Sequence, residues 1–279
     1  MLNPRGRLVG VVSLRNLLLS LKATPLTEIM TAPITVSPDL RLEELGGFFE
    51  THPFMGAPVV DDDQRLLGVV SRTAIAEAAL ERADSDQLKV QGVVGDELRS
   101  MPVVFRARRR LAWLSINIVL NIIAVSVIAL YEETLAAVIA LAVFLPIVSD
   151  MSGCSGNQAV AVSLRELTLG TIKPVDALLV WTKEVGVGLI NGLVLGLLLA
   201  VAACLWKGNP WLGVVVGGAL ATNTTIAVSL GGTVPLFLKR LGVDPAVASG
   251  PVLTTVTDMV GFFLVLSFAA MMMPLLQGA

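Results

Sequence analysis

The sequence predicts a mostly α-helical membrane protein in which a five-helix transmembrane domain follows a small α/β domain. Of its 279 residues, 54% are hydrophobic and only 15% are charged, whereas soluble proteins carry about 25% charged residues. The charges are also unevenly spread, because residues 1–100 hold 14 acidic and 10 basic side chains and residues 101–279 hold 8 acidic and 10 basic ones. An acidic, water-soluble N-terminal part therefore precedes a larger hydrophobic part.

The N-terminal part contains an internal repeat. Residues 7–18 read RLVGVVSLRNLL and residues 65–76 read RLLGVVSRTAIA, an offset of 58 residues. Between the copies, residues 34–45 (ITVSPDLRLEEL) predict a short β-rich run and a helix that starts at Ser-Pro-Asp. Residues 56–71 (GAPVVDDDQRLLGVVS) predict two strands joined by an acidic turn, with a helix after them. Repetition at this spacing indicates a duplicated structural unit.

This β-α-β-β-α order resembles a cystathionine-β-synthase (CBS) domain. The resemblance implies a complete CBS domain over residues 24–83 and the remnant of a first one over residues 1–22, so the chain is expected to be N-terminally truncated. CBS domains work as intramolecular pairs that often bind adenine nucleotides. The family's nucleotide motif is present from Gly10 to Asn16, but Ala74 replaces its last residue in the second copy. Both an adenine nucleotide at the CBS part and a regulatory module without one are therefore open expectations.

Five apolar segments follow the CBS part and a connecting helix and basic linker at residues 84–110. The first, residues 111–131, is uncharged over 21 positions. The others lie at 134–162, 184–206, 211–238 and 251–273, and the second and fourth are long enough to be tilted or broken. Nine lysine and arginine residues beyond residue 105 fall on one side of this topology and only Lys207 on the other. The positive-inside rule then predicts a multi-pass protein of the cell (inner) membrane with a cytoplasmic N-terminal part and an outside C-terminus.

Small residues predict how these segments pack. Glycines recur at every fourth position in the third and fourth segments, which lets helices approach closely: Gly188, Gly192 and Gly196, and Gly213 and Gly217. The two cysteines, Cys154 and Cys204, have no metal or disulfide spacing and are interpreted as small core residues.

Asp258 lies about two helical turns into the last segment. A charged side chain at membrane depth costs at least about 2.5 kcal/mol, so it faces a cavity, a partner or a pathway. Helical periodicity places Thr254, Thr255 and Gly261 on the same face, with Gly250 near the opening of the helix on a similar side. This stripe of a carboxylate, hydroxyls and small residues is interpreted as the lining of a polar passage.

A second polar stretch, SDMSGCSGNQAVAVS, occupies residues 149–163. Irregular backbone is expected in this polar, glycine-containing stretch, and irregular backbone at membrane depth must line water or be buried in protein. Glycines such as Gly156 would let carbonyl groups approach a hydrated ion. Asn157 and Gln158 would add amide oxygens, and Asp150 is a second carboxylate in the same stretch.

The ligand chemistry indicates a hard cation. His52 is the only histidine and the cysteines are isolated, so no soft-metal site is formed by spacing. An oxygen lining with one or two carboxylates and retained waters is how Mg²⁺ is usually held. Residues alone therefore predict a pathway for a hard divalent cation, and they leave open a carboxylate that is paired within the membrane or relays protons.

Two long stretches, FLPIVSDMSGCSGNQAVAVSLRELTLG (144–170) and KRLGVDPAVASGPVLTTVTDMVGF (239–262), resemble the MgtE family of Mg²⁺ transporters and channels. The resemblance implies a non-enzymatic homodimer in the lipid bilayer whose ion path follows the subunit interface, and Asp258 matches the family's pore aspartate for hydrated Mg²⁺. It also implies that cytoplasmic acidic residues bind regulatory Mg²⁺ and close the pore. Candidates for that role are Asp61, Asp62, Asp63, Asp84, Asp86, Asp96 and Glu97.

Three departures from the family pattern bear on function. Cys154 replaces an asparagine, Gly250 stands where some members carry asparagine, and the acidic N-terminal domain and most of the first CBS domain are missing. The last departure predicts poor gating, with flux unchanged when cytoplasmic Mg²⁺ rises.

Other functions stay open at this point. The same architecture would suit a CBS-regulated transporter of Co²⁺ or Mn²⁺. An intramembrane aspartyl protease would use Asp150 and Asp258 but wants a Gly-x-Gly-Asp arrangement that neither site has. A transporter of organic osmolytes or anions would need aromatic cages or basic residues within the spans, and an accessory membrane protein without transport activity is a further option. No nucleic-acid partner is expected.

Overall fold

The computed structural model describes residues 1–93 and 97–277. The chain divides into two compact units, Met1–Ala83 and Asp84–Ala279. The predicted fold class is confirmed, because the described part of the chain is mostly helical and carries one small two-stranded sheet near its N-terminus.

The first unit is a small α/β domain. Its elements are α1 (Leu14–Leu19), α2 (Leu26–Ile29), α3 (Leu42–Thr51), β1 (Gly56–Val60), β2 (Leu66–Ser71) and the start of α4 (Arg72–Val90). β1 and β2 pair antiparallel, which confirms the predicted strands and the acidic turn between them. The core is formed by Val36, Phe49, Ala57 and Ile75.

The helix expected at Ser-Pro-Asp begins later than predicted. α3 starts at Leu42, because the Glu44 carboxylate accepts a hydrogen bond of 3.0 Å from the Arg41 backbone N–H and so closes the first turn there. The β-rich run before it contributes one parallel bridge, between Val36 and Val59, rather than a full strand.

The second unit is a bundle of long helices. Its elements are α5 (Val103–Ala129), α6 (Glu132–Ala137), α7 (Leu141–Leu169), α8 (Ala177–Lys207), α9 (Pro210–Arg240), α10 (Pro245–Met271) and α11 (Met273–Gln277). α9 and α10 each begin with a proline behind a capping side chain, since Asn209 and Asp244 accept hydrogen bonds from the first turn. The linker arginines Arg106 to Arg110 lie inside α5, so that helix begins before the apolar segment.

Four of the described helices are long and apolar enough to cross a membrane: Val103–Ala129, Pro174–Lys207 (α8 together with the 3₁₀ turn Pro174–Asp176 before it), Pro210–Arg240 and Pro245–Met271. The prediction of five spans is thus confirmed for four. The second predicted segment, 134–162, is broken between α6 and α7. α7 is 29 residues long, but Ser, Asp, Asn and Gln in its middle lower its hydropathy.

α9 is the central helix of this unit. It packs against α7, α8 and α10. In its apolar stretch 67% of the residues are buried, compared with 6% in the apolar stretch of α5. The predicted glycine contacts are confirmed at the α8–α9 interface: a Cβ at Gly196 would lie 2.5 Å from the Gly217 carbonyl oxygen, and one at Gly192 would collide with the Ala221 carbonyl. The two helix backbones therefore touch directly.

Candidate functional site: a carboxylate-lined cavity

A cavity of about 580 Å³ opens in the second unit between α5, α6, α7 and α10. Its lining from α7 and α10 recurs every three or four residues, so one face of each helix supplies it. The lining side chains are Ile128, Leu135, Ala142, Leu145, Pro146, Ser149, Asp150, Gly153, Cys154, Asn157, Thr254, Asp258 and Phe262. Of these lining residues, two are acidic and none is basic, so the cavity favours cations.

Asp258 is half-buried on α10 and lines the cavity. Ser149 of α7 donates a hydrogen bond from its Oγ to Asp258 Oδ1. This bond occupies one carboxylate oxygen and joins two helices across 109 positions of sequence. It orients the carboxylate, while the second oxygen accepts no hydrogen bond from the described residues that line the cavity.

Thr254 lies one turn before Asp258 and also lines the cavity. Its hydroxyl donates to backbone carbonyls of its own helix, at 3.1 Å to Gly250 and 3.2 Å to Pro251. Because the proton is used within the helix, the oxygen lone pairs of Thr254 are what it can offer to a water molecule or an ion.

The polar stretch of α7 forms a continuous helix. The expectation of irregular backbone over residues 149–163 is wrong, since the α-helix runs unbroken from Leu141 to Leu169 and engages the carbonyl groups within itself. Side chains, not freed carbonyls, therefore present the oxygens of this stretch. Asp150 and Asn157 are exposed and face the cavity together with Cys154.

Pro146 supplies one backbone exception within α7. A proline has no N–H to donate, so the carbonyl four residues earlier loses its helical partner. That carbonyl belongs to Ala142, and both Ala142 and Pro146 line the cavity. An additional backbone oxygen is available there.

Some of the predicted pore residues lie elsewhere. Thr255, Gly250, Gly156 and Gln158 are not among the residues that line this cavity. Gly156 is buried between α7 and α9, where a Cβ would lie 2.9 Å from the Ala227 carbonyl oxygen, so its role in the described fold is close packing. The interpretation of Cys154 as a core residue is also wrong, because its side chain is exposed.

The acidic residues suggested for regulation do not form a metal site among the described residues. No three histidine, cysteine, aspartate or glutamate side chains of residues 1–93 and 97–277 come together as ligands. Asp61 accepts a hydrogen bond of 2.8 Å from the Arg65 backbone N–H within the β1–β2 turn. Asp62, Asp63 and Asp84 are exposed.

Two of these acidic residues have cationic partners instead. Asp86 lies 3.3 Å from Lys89 Nζ. The Glu97 carboxylate contacts Arg106 at 2.9 Å and Arg110 at 2.6 Å. The hydrogen bond from the Arg110 guanidinium, followed in size by that from Arg106, holds the pKa of Glu97 below its ordinary value. Asp96 lies outside the described residues.

The nucleotide motif of the first unit folds as a turn into a helix. Ser13 accepts a hydrogen bond of 3.1 Å from the Asn16 backbone N–H and so caps α1. The Asn16 side chain donates to the Ile29 carbonyl at 3.4 Å. The last residue of the motif, Asn16, is therefore engaged with the chain itself.

Sequence reasoning missed Ser149 as the partner of Asp258, and Cys154 and Pro146 as cavity residues. Reading the polar stretch as a helix would have found them, because positions 142, 146, 149, 150, 153, 154 and 157 follow one helical face. The glycine content of that stretch suggested irregular backbone instead.

Comparison with known proteins matches both parts of the chain. The sequence model of MgtE, described as divalent cation transporter, matches residues 145–268, and that of the CBS domain matches residues 26–81. Proteins named magnesium transporter MgtE are 31% identical over 269 residues in Bacillus subtilis, 34% over 273 in Thermus thermophilus and 32% over 269 in Enterococcus faecalis. Each alignment covers 96% of this chain but only 59–60% of the relative, so the chain spans about three fifths of their length.

Proposed function

Because the chain belongs to the MgtE family, a family of transporters and not of enzymes, we propose that it moves hydrated Mg²⁺ across a membrane past Asp258. The observation that carries the proposal is the cavity in which Asp258, oriented by Ser149, lies with Asp150 and without any basic lining residue. These residues fall within the region matched by the family model.

The size of the cavity suits a hydrated ion. Mg²⁺ holds its waters in an octahedron and dehydrates reluctantly. Six waters at about 30 Å³ each occupy about 180 Å³, which fits within the roughly 580 Å³ of the cavity. The carboxylates of Asp150 and Asp258 and the oxygens of Thr254 and Asn157 would then hydrogen-bond to the water shell rather than replace it.

The finer parts of the proposal extend from the family resemblance. We place the ion path at the interface of a homodimer, with the N-terminal part in the cytoplasm and the C-terminus outside. The other predicted pore residues lie outside the cavity of a single copy and stay predictions for that assembly: Thr255, Gly250, Gly156 and Gln158. Regulatory Mg²⁺ and an adenine nucleotide at the CBS part belong to the same extension.

A softer divalent cation is the second candidate substrate. Cys154 places a sulfur in an otherwise oxygen-based lining, and thiol ligands shift preference from Mg²⁺ toward transition metals such as Co²⁺. Competition of Co²⁺ and Mn²⁺ with Mg²⁺, measured in wild type and in Cys154→Ser, separates the two. Transport of Co²⁺ or Mn²⁺ in preference to Mg²⁺ would replace the proposed substrate.

The central test is Mg²⁺ influx into proteoliposomes, followed with a Mg²⁺-sensitive dye inside the vesicles. We expect influx in wild type and its loss in Asp258→Ala and Asp258→Asn. Glu132→Gln is the matched control, because it removes one exposed carboxylate outside the cavity. Influx that persists in both Asp258 variants would place the ion path elsewhere.

The same vesicles test regulation. Flux should stay unchanged when Mg²⁺ is raised on the side of the N-terminal part, because Asp86 and Glu97, two of the candidate regulatory carboxylates, already contact basic side chains. Strong inhibition at millimolar Mg²⁺ on that side would show that gating persists in this chain.

A further inference from the structure

We infer that Asn223 of α9 is a positioning residue for Asp258, holding α10 from outside the cavity; the inference rests on the proposed role of Asp258 in the ion path. Asn223 is fully buried and is not among the residues that line the cavity. Any effect of Asn223 on the ion must therefore pass through another residue.

The connection is a hydrogen bond to one peptide group. Asn223 Nδ2 donates to the Thr257 carbonyl oxygen at 3.0 Å, and Thr257 is itself fully buried. That carbonyl shares a planar peptide unit with the backbone nitrogen of Asp258. Asn223 thereby holds the backbone to which the Asp258 side chain is attached, while Ser149 holds the carboxylate. Two helices, α7 and α9, thus set the position of one charge on α10.

Gly261 makes the approach of Asn223 to α10 possible. It lies one turn after Thr257 and is buried. A Cβ at this position would lie 2.7 Å from Asn223 Nδ2, and real Cβ atoms do not come that close to a buried amide. An alanine at position 261 would therefore displace the amide from its place against α10.

The second polar atom of Asn223 argues against a role in stability alone. Among the described residues, Asn223 Oδ1 is the buried side-chain atom that has no hydrogen-bond partner. A buried acceptor left without a donor is unfavourable, whereas an apolar side chain of the same shape avoids that loss. Leucine has this shape, so Asn223→Leu is expected to preserve or raise thermal stability while it removes the hydrogen bond to Thr257.

Mg²⁺ binding, unlike thermal stability, should be weakened by the loss of this hydrogen bond. A binding site keeps its selectivity only while its groups are held within about 0.5 Å of the productive geometry. Loss of one net hydrogen bond corresponds to about a two- to tenfold change in an equilibrium constant. We therefore expect Asn223→Leu and Gly261→Ala each to raise the half-saturating Mg²⁺ concentration about two- to tenfold and to reduce discrimination between Mg²⁺ and Mn²⁺.

The experiment measures half-saturation and Mn²⁺ competition in proteoliposomes, and thermal unfolding of the same preparations in detergent. Ser229→Ala is the matched control, because Ser229 is a buried polar residue of α9 whose hydroxyl bonds to Thr225 of its own helix. It should leave half-saturation and competition unchanged.

The outcomes separate this inference from the proposed function. Wild-type protein without Mg²⁺ flux would overturn the proposed function and this inference with it. Wild-type flux with unaltered half-saturation and competition in Asn223→Leu and Gly261→Ala would overturn the positioning role alone. A fall in the unfolding temperature of Asn223→Leu would also overturn it, since Asn223 would then be serving stability.

Discussion

The Lys89 ammonium lies 3.0 Å from the Asp244 carboxylate, so the last turn of α4 is joined to the residue that caps α10. The hydrogen bond to Asp244 raises the pKa of Lys89 above its ordinary value. A raised lysine pKa contributes stability that is complete below its unfolded value of about 10.4 and is lost as pH rises through the folded value. The link is therefore intact at neutral pH.

We predict a small, salt-sensitive coupling between Lys89 and Asp244. Lys89→Met and Asp244→Asn remove one charge each, and asparagine keeps the ability to cap α10. A double-mutant cycle of unfolding free energies should give a coupling of about 0.2–1 kcal/mol at low salt, because the pair is partly exposed. The coupling should decrease at high salt. Additive single effects at both salt concentrations would contradict the prediction.

The pair of arginines around Glu97 predicts an acid-sensitive contact. Since their hydrogen bonds lower the pKa of Glu97, the stability they add is present above about pH 4.3 and is lost as pH falls through the folded pKa. Limited proteolysis between α4 and α5 should therefore accelerate in acid in wild type. Glu97→Gln should already be cleaved faster at neutral pH and should change less with acid. Equal acid dependence in both proteins would assign the effect to other groups.

The α8–α9 contact predicts a difference between two glycines of the same helix. A Cβ at Gly192 would collide with the Ala221 carbonyl, whereas one at Gly186 would meet nothing within 4 Å. Gly192→Ala should therefore lower the free energy of unfolding by about 1–3 kcal/mol. Gly186→Ala should be neutral or stabilising by up to about 1 kcal/mol. Thermal unfolding in detergent compares them, and equal effects would mean that the two helices separate easily.

The hydrogen bond from Ser149 predicts a loss of affinity without loss of fold. Ser149→Ala leaves the Asp258 carboxylate without its partner on α7, so half-saturating Mg²⁺ should rise about two- to tenfold. Ser155→Ala is the control, because its hydroxyl bonds to Met151 of its own helix. An affinity change of the same size in Ser155→Ala would mean that any substitution on α7 weakens binding, and that the bond to Asp258 is not the cause.

The exposure of Cys154 predicts chemical block of the cavity. A cationic methanethiosulfonate reagent should attach to Cys154 and abolish most Mg²⁺ flux, and saturating Mg²⁺ should slow the reaction. Cys154→Ser should be insensitive, because Cys204 is half-buried and its sulfur lies against Gly213 of α9. Full flux after complete modification of Cys154 would place the ion path away from this cavity.

Features that depend on neighbours in sequence could be predicted well. The strands around the acidic turn, four apolar spans and the glycine contacts of α8 and α9 all follow from local hydropathy and spacing. Errors arose where local signals conflicted. Gly153 and Gly156 favoured irregular backbone, but α7 is helical through both of them, and Gly156 packs closely against α9.

Composition and hydropathy were enough to predict the two-part architecture, the membrane character of the second part and a functional role for Asp258, because a carboxylate in an apolar segment is costly wherever the helix packs. The groups that surround that carboxylate could be identified only from the packing of the folded chain. Ser149 and Asn223 reach α10 from helices that are distant in sequence, and Thr254 faces the cavity while Thr255 does not. Such choices depend on helix rotation and crossing, which are set by the packing of whole faces rather than by any single segment.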